Sequence, residues 1–151
     1  MTLAMEFVFE AAVTVAQPLE IGETPLGRRR VIHITGGTFA GPRLKGTVVP
    51  GGADWQVIRA DGVTELTALY ELKTDDGALI HVTNRGLRHG PPEVMQRLFR
   101  GEAVDPASYY FRTVPVFEAP SGPHDWLNRS IFVASGARSA NEVKVRVFEL
   151  R

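Results

Sequence analysis

Cysteine is absent from this chain of 151 residues. Disulfides, thiolate nucleophiles and zinc–cysteine sites are excluded with it. An excess of either charge is missing too, because 17 basic residues balance 17 acidic ones. That balance offers no electrostatic footprint for nucleic acid or an anionic membrane. Arg28-Arg29-Arg30 is a local exception, readable as a basic patch or, more plainly, as the solvated start of a strand. Long apolar runs are also lacking, as no segment approaches the ~18 consecutive apolar residues of a membrane span. The first residues have neither the basic start nor the apolar stretch of a signal peptide, and Glu6 and Glu10 break their hydrophobicity. The expectation is a cytoplasmic protein without nucleic-acid or membrane partners. Catalytic signatures are missing as well: there is no GxSxG, HExxH or P-loop. Gly36, Gly37 and Gly41 make no dinucleotide fingerprint without a βαβ unit around them. His33, His81, His89 and His124 are scattered without metal-ligand spacing, so neither a metal nor a cofactor is expected.

What the chain does have is alternation. Hydrophobic residues make up 44% of it, an ordinary share for one folded domain, and the whole chain, 1–151, reads as a single domain. Met5, Phe7, Phe9, Ala11, Val13 and Val15 recur at every second position, the pattern of a strand with one apolar face. Pro18, Gly22 and Pro25 mark a loop after it. Further strands are read over 28–39, 44–49, 54–59 and 63–74. The turn Asp75-Asp76-Gly77 then leads into 78–85 as a hairpin. Strands over 109–118, 130–135 and 143–150 follow. Gly36-Gly37 permits a bulge or a close backbone approach. One short helix is signalled by Pro91-Pro92, an early Glu93, late arginines and a terminal Gly101. At about two turns it cannot stand alone, so it must lie on the sheet as a plug or a lid hinge. Eight or nine strands with short connections make an all-β antiparallel up-and-down barrel of lipocalin-like (calycin) form, which removes exposed edges by closing. A two-sheet sandwich is the alternative.

Several stretches resemble a known family: "GGTFAGPRLKGTVVPGGADW", "YELKTDDGALIHVTNRG", "YYFRTVPVFE" and "WLNRSIFVASG". Together, over nearly the whole chain, they look like the family catalogued as domain of unknown function 3237, small conserved proteins of bacteria and fungi. The resemblance implies a single β-barrel, related in shape to lipocalin-like and cyclase-bearing barrels. It implies no particular chemistry, because fold does not carry function.

Candidate site residues are polar groups on otherwise apolar faces. Asp54 opens a strand beside Trp55, where burial would raise its pKa and suit it to acid/base work, unless it only bonds its own turn. Tyr70 shares a face with Leu66, Ala68 and Leu72, and a buried phenol can orient a ligand or give a proton. Arg112, with Arg85, can snorkel, pair with a carboxylate, or clamp a ligand carboxylate or enolate. Read as a strand, "WLNRS" puts Trp126 and Asn128 on one face as a semi-polar pocket wall, with His124 and Asp125 on the rim. The same stretch also reads as a structural cap. Asp54, Tyr70, Arg112 and Asn128 are thus expected as catalytic groups, and Trp55, Arg85, Phe117, Asp125 and Trp126 as ligand contacts. Two functions remain open at this point. One is a cofactor-independent isomerase, cyclase, lyase or lactone hydrolase acting on a small oxygenated compound. The other is a non-catalytic ligand-binding or assembly barrel. Homo-oligomerisation through exposed apolar strands is a further expectation.

Overall fold

The computed structural model describes all residues from Met1 to Arg151. Ten strands run β1 Met5–Val15, β2 Leu19–Thr24, β3 Gly27–Ala40, β4 Lys45–Val48, β5 Ala53–Ile58, β6 Thr64–Thr74, β7 Leu79–His89, β8 Tyr110–Glu118, β9 Phe132–Arg138 and β10 Glu142–Leu150, with the helix α1 at Pro92–Phe99 between β7 and β8. All pairings are antiparallel, each strand from β6 to β9 lies beside its successor, and β1 closes the ring between β10 and β3. β4 and β5 occupy one position between β3 and β6, as a single strand bent at the Pro50-Gly51-Gly52 kink. The result is a closed eight-position antiparallel barrel rather than a sandwich. No helix is long and apolar enough to cross a membrane.

The expected strands form, with two differences. Leu19–Thr24, read as a loop, is a strand on the edge of β3, with a register shift between Glu20 and Gly22 where glycine breaks the pattern. Trp126–Arg129, read either as a strand start or as a cap, lies in a short 3-10 helix, Asp125–Arg129, that places only Leu127 in the core.

The barrel interior divides into two halves. At the end nearest the Asp125–Arg129 turn it is packed solid by rings. Phe117 meets Phe9 at 5.8 Å and Phe132 at 5.0 Å, and Phe9 meets Phe39 at 5.3 Å. The edge-on angles of these pairs are the favoured aromatic geometry. At the other end α1 turns Met95 and Leu98 onto Leu66, Tyr109 and Phe111. Between that lid and the aromatic plug the barrel is hollow.

Candidate functional site

The hollow is built by period-2 geometry. On β5 the alternation sends Asp54 and Gln56 inward and Trp55 outward. The kink before it brings chain against chain: a Cβ on Gly52 would sit 2.6 Å from Tyr70 Cβ. Only glycine permits that approach, and it sets the Asp54 strand hard against the Tyr70 strand. On β7 the inward series Ile80, Val82 and Asn84 continues to Arg88. On β8 it is Phe111 and Thr113, and on β9 it runs through Ala134 and Gly136 to Arg138. The cavity has a volume of ≈ 50 Å³, and its polar wall consists of Asp54, Tyr70, Asn84, Arg88, Thr113 and Arg138. Each enclosed water needs ~10–15 Å³ on this measure, so the space holds a few waters or a small ligand group.

One amide organises the polar wall. Gln56 is wholly buried. Its Oε1 accepts from Arg30 Nε at 2.9 Å and from Arg88 Nη2 at 3.5 Å. With that oxygen committed to arginines, its Nε2 faces Asp54 and donates to Oδ2 at 2.7 Å. Asp54 Oδ1 is enclosed and has no partner in the chain. Asp54 as a residue is half-buried, because part of it lines the cavity. Burial pushes its pKa up, against the opposing pull of the Gln56 hydrogen bond and then of Arg88, Arg138 and Arg30. When Asp54 carries a proton, Oδ2 is occupied as an acceptor, so the proton belongs on Oδ1.

The neighbouring groups are perturbed as well. Burial, and then the Asp54 charge, hold the Tyr70 phenol protonated far above its usual range. Arg88, 1% exposed, is pushed down to about 10, first by burial and then by Arg30 and Arg138. Burial also lowers Arg30 and Arg138. The Arg88 guanidinium lies 5.4 Å above the Phe111 ring and 5.9 Å from Phe99 of α1, while its Nε has no acceptor. Asn84 Oδ1 and Thr113 Oγ1 are likewise buried and unpaired. Convergence of orphaned polar atoms and perturbed acids in one pocket is the physical mark of a functional site.

Of the residues singled out in the sequence, the structure brings Asp54 and Tyr70 together here. The expected convergence of Arg112 and Asn128 with them does not form. Arg112 is exposed on the outer face of β8, donates to the Phe111 carbonyl at 2.9 Å and lies over the Tyr110 ring. Strand pleating is the reason: it turns Phe111 and Thr113 inward and their neighbours out. Asn128 is a cap at the packed end, donating to and accepting from the Ala119 backbone at 2.9 and 2.8 Å. Trp126 stands beneath the Arg43 guanidinium at 3.6 Å, and Asp125 pairs with Arg129 at 3.3 Å. Phe117 belongs to the aromatic plug. Trp55 and Arg85 are exposed on the outer surface. The sequence reading missed Gln56, Asn84, Arg88, Thr113 and Arg138. Gln56, Asn84 and Thr113 follow the alternation of strands legible in the sequence, and Arg88 and Arg138 carry it three residues past Arg85 and Ser135.

Comparison with known proteins agrees with this architecture over the full length. A UPF0311 protein of Bradyrhizobium diazoefficiens is 44% identical over 99% of this chain and 97% of its own. The crystal structure of a conserved protein of unknown function from Rhodopseudomonas palustris superimposes with a TM-score of 0.97 at 42% identity, covering 100% of this chain and 99% of that one. A hydroalkoxylation enzyme of Penicillium herquei is 35% identical over 79 residues, 52% of each chain. The family model described as protein of unknown function DUF3237 matches residues 3–150, and the chain belongs to that family.

Proposed function

We propose that the barrel is a cofactor-independent acid/base enzyme that adds a hydroxyl oxygen across a carbon–carbon double bond, or runs the reverse elimination, on a small oxygenated compound. The observation that carries this reading is Asp54: a carboxyl whose pKa burial pushes up, with Oδ2 tied to Gln56 and Oδ1 unpartnered at the cavity wall. Such a group is a general acid with its proton aimed at the substrate. Oδ1 gives its proton to one alkene carbon. The hydroxyl oxygen bonds to the other carbon, and its proton returns to the carboxylate. Atoms balance without oxidant or reductant, and the net change is an isomerisation when both groups belong to one molecule. Asn84 Oδ1 and Thr113 Oγ1 orient the reacting hydroxyl, and Tyr70 supplies a neutral donor. The Penicillium herquei relative, named for hydroalkoxylation, supports this choice among acid/base reactions.

The test is turnover of a panel of small hydroxy-alkenes in heavy water. A product of unchanged skeleton mass carrying one non-exchangeable deuterium on carbon is expected. Asp54→Asn should lower that rate by ~10²–10⁴-fold, the usual share of a positioned acid. Equal rates for the two proteins would remove Asp54 from the reaction.

A further inference from the structure

The cavity has more positive charge around it than the chain neutralises. Arg30, Arg88 and Arg138 are all drawn in at the α1 end of the barrel. Arg30 is answered by Glu20 at 3.6 Å. Arg88 and Arg138 form no ion pair. Beyond the Phe111 and Phe99 rings Arg88 has one hydrogen bond, the long contact to Gln56, and Arg138 Nε donates to the Ser139 carbonyl at 2.9 Å. Even with Asp54 and Glu20 both ionised, three guanidinium groups would face two carboxylates. An unanswered buried charge is strongly destabilising, and a site that keeps one does so for a partner. A depression on the outside adjoins the cavity wall at Arg138. This outer depression of ≈ 120 Å³ under the end of α1 is lined by Arg30, Phe99, Arg100 and Arg138. Arg138 is a wall of both this depression and the inner cavity. Arg100 is already held by Glu102 at 2.7 Å, so the free charge there is that of Arg138.

We infer that the ligand of the cavity is an anion, a carboxylate or an enolate or phenolate oxygen, that enters past Arg138 and is bound by the unanswered guanidinium groups of Arg88 and Arg138. The inference rests on the cavity assigned above and names the substrate class that it takes. Guanidinium is the side chain of choice for such oxygens, and exclusion of water strengthens each hydrogen bond. The anion also bears on Asp54, since negative charge beside the carboxyl favours its protonated form. The groups facing Asp54 are Arg30 of β3, Tyr70 of β6, Arg88 of β7 and Arg138 of β9, and Tyr109 ahead of β8 faces Arg88 and Arg138. No histidine lines the cavity. Binding of an anion therefore weakens as pH rises through the ionisation of Asp54.

The experiment is calorimetric titration of the full chain with acetate and benzoate, and with the neutral isosteres acetamide and benzamide. At least one anion should bind ~10-fold or more tightly than its amide, the contrast expected of charge-assisted hydrogen bonds. Arg138→Met should erase the contrast while the melting temperature shows a folded protein. Arg88→Met should do the same wherever it folds. Asp54→Asn should keep anion binding and lose its pH dependence. Amides binding as well as the anions, no binding of either anion at millimolar concentration, or loss of anion binding in Asp54→Asn would each overturn the inference. Anion binding that survives in Asp54→Asn, together with equal turnover in both proteins, would sink the acid/base reading alone.

Discussion

At Gln56 a single amide decides which oxygen of Asp54 is free. Two arginines claim its carbonyl, so its nitrogen must donate to Oδ2, and the open valence faces the cavity. The same burial has a consequence for stability. The folded-state pKa of Asp54 is raised above the ordinary 3.8. Between those two values the folded chain holds a proton that the unfolded chain has released, so stability falls as pH rises across that window. An asparagine has no such charge to bury. Asp54→Asn should therefore melt close to the parent at about pH 4 and above it at about pH 8. A parent more stable than the variant at the higher pH would mean that Asp54 is ionised and paired with the arginines. Asp54 and Tyr70 were legible in the sequence because each interrupts an apolar face at a strand position. Arg88 and Arg138 were not, because the strands were read as stopping at Arg85 and Ser135. Gly86 and Gly136 look like terminators there, yet each sits inside its strand, where a Cβ would crowd Thr113 or the Phe111 ring. Arg112 shows the complementary failure. Both faces of β8 are apolar enough to be the core, and alternation alone cannot say which one turns in.

Among the elements, α1 is the one whose behaviour follows least from its own sequence. Its proline start, Glu93 and Arg97 fit helix ends, but two turns gain little stability without packing. What holds it is Met95 and Leu98 on Leu66, Tyr109 and Phe111, with Phe99 beneath the Arg30 guanidinium at 5.0 Å. Those few contacts are the roof of the cavity, so the least anchored element of the barrel covers its hollow end. Amides of α1 should exchange with solvent orders of magnitude faster than those of β6 and β7, through local opening rather than global unfolding. Leu98→Ala should raise α1 exchange further while leaving the strand amides slow. Mass-spectrometric exchange of the peptide spanning 90–104 reads both. Equal protection of α1 and the strands would show the roof to be part of the cooperative core. The 3-10 turn at Asp125–Arg129 is the opposite case. A strand reading paired Trp126 with Asn128, but the turn sends Leu127 into the core and leaves Asn128 to tie down the Ala119 backbone. Local sequence does not separate those outcomes, since both satisfy the same residues with different partners.

The whole barrel pairs a solid half with a hollow one, and closure holds the two together. β1 is the keystone, bonded to β10 along one edge and to β3 along the other. Closure was legible, because a meander of this many strands leaves no other simple way to remove its edges. How full the barrel is was not, because periodicity reports which face is apolar and says nothing of the volume behind it. The division should show as a separation of effects. Phe117 is buried in the main core cluster and touches the rings of Phe9 and Phe132. Phe117→Ala therefore removes a ring from that core, at a cost of ~3–5 kcal/mol. Val143 is half-buried and lines the cavity. Its methyl groups already lack partners on one side, so Val143→Ala forfeits fewer contacts and should cost well under half as much. Urea unfolding at equal m-values gives both numbers. Binding should divide the other way. Phe117→Ala, measured below its unfolding transition, keeps the parent affinity for the cavity ligand, whereas Val143→Ala changes it by altering the cavity wall. A ligand affinity that followed Phe117 instead would place the site at the aromatic end and not under α1.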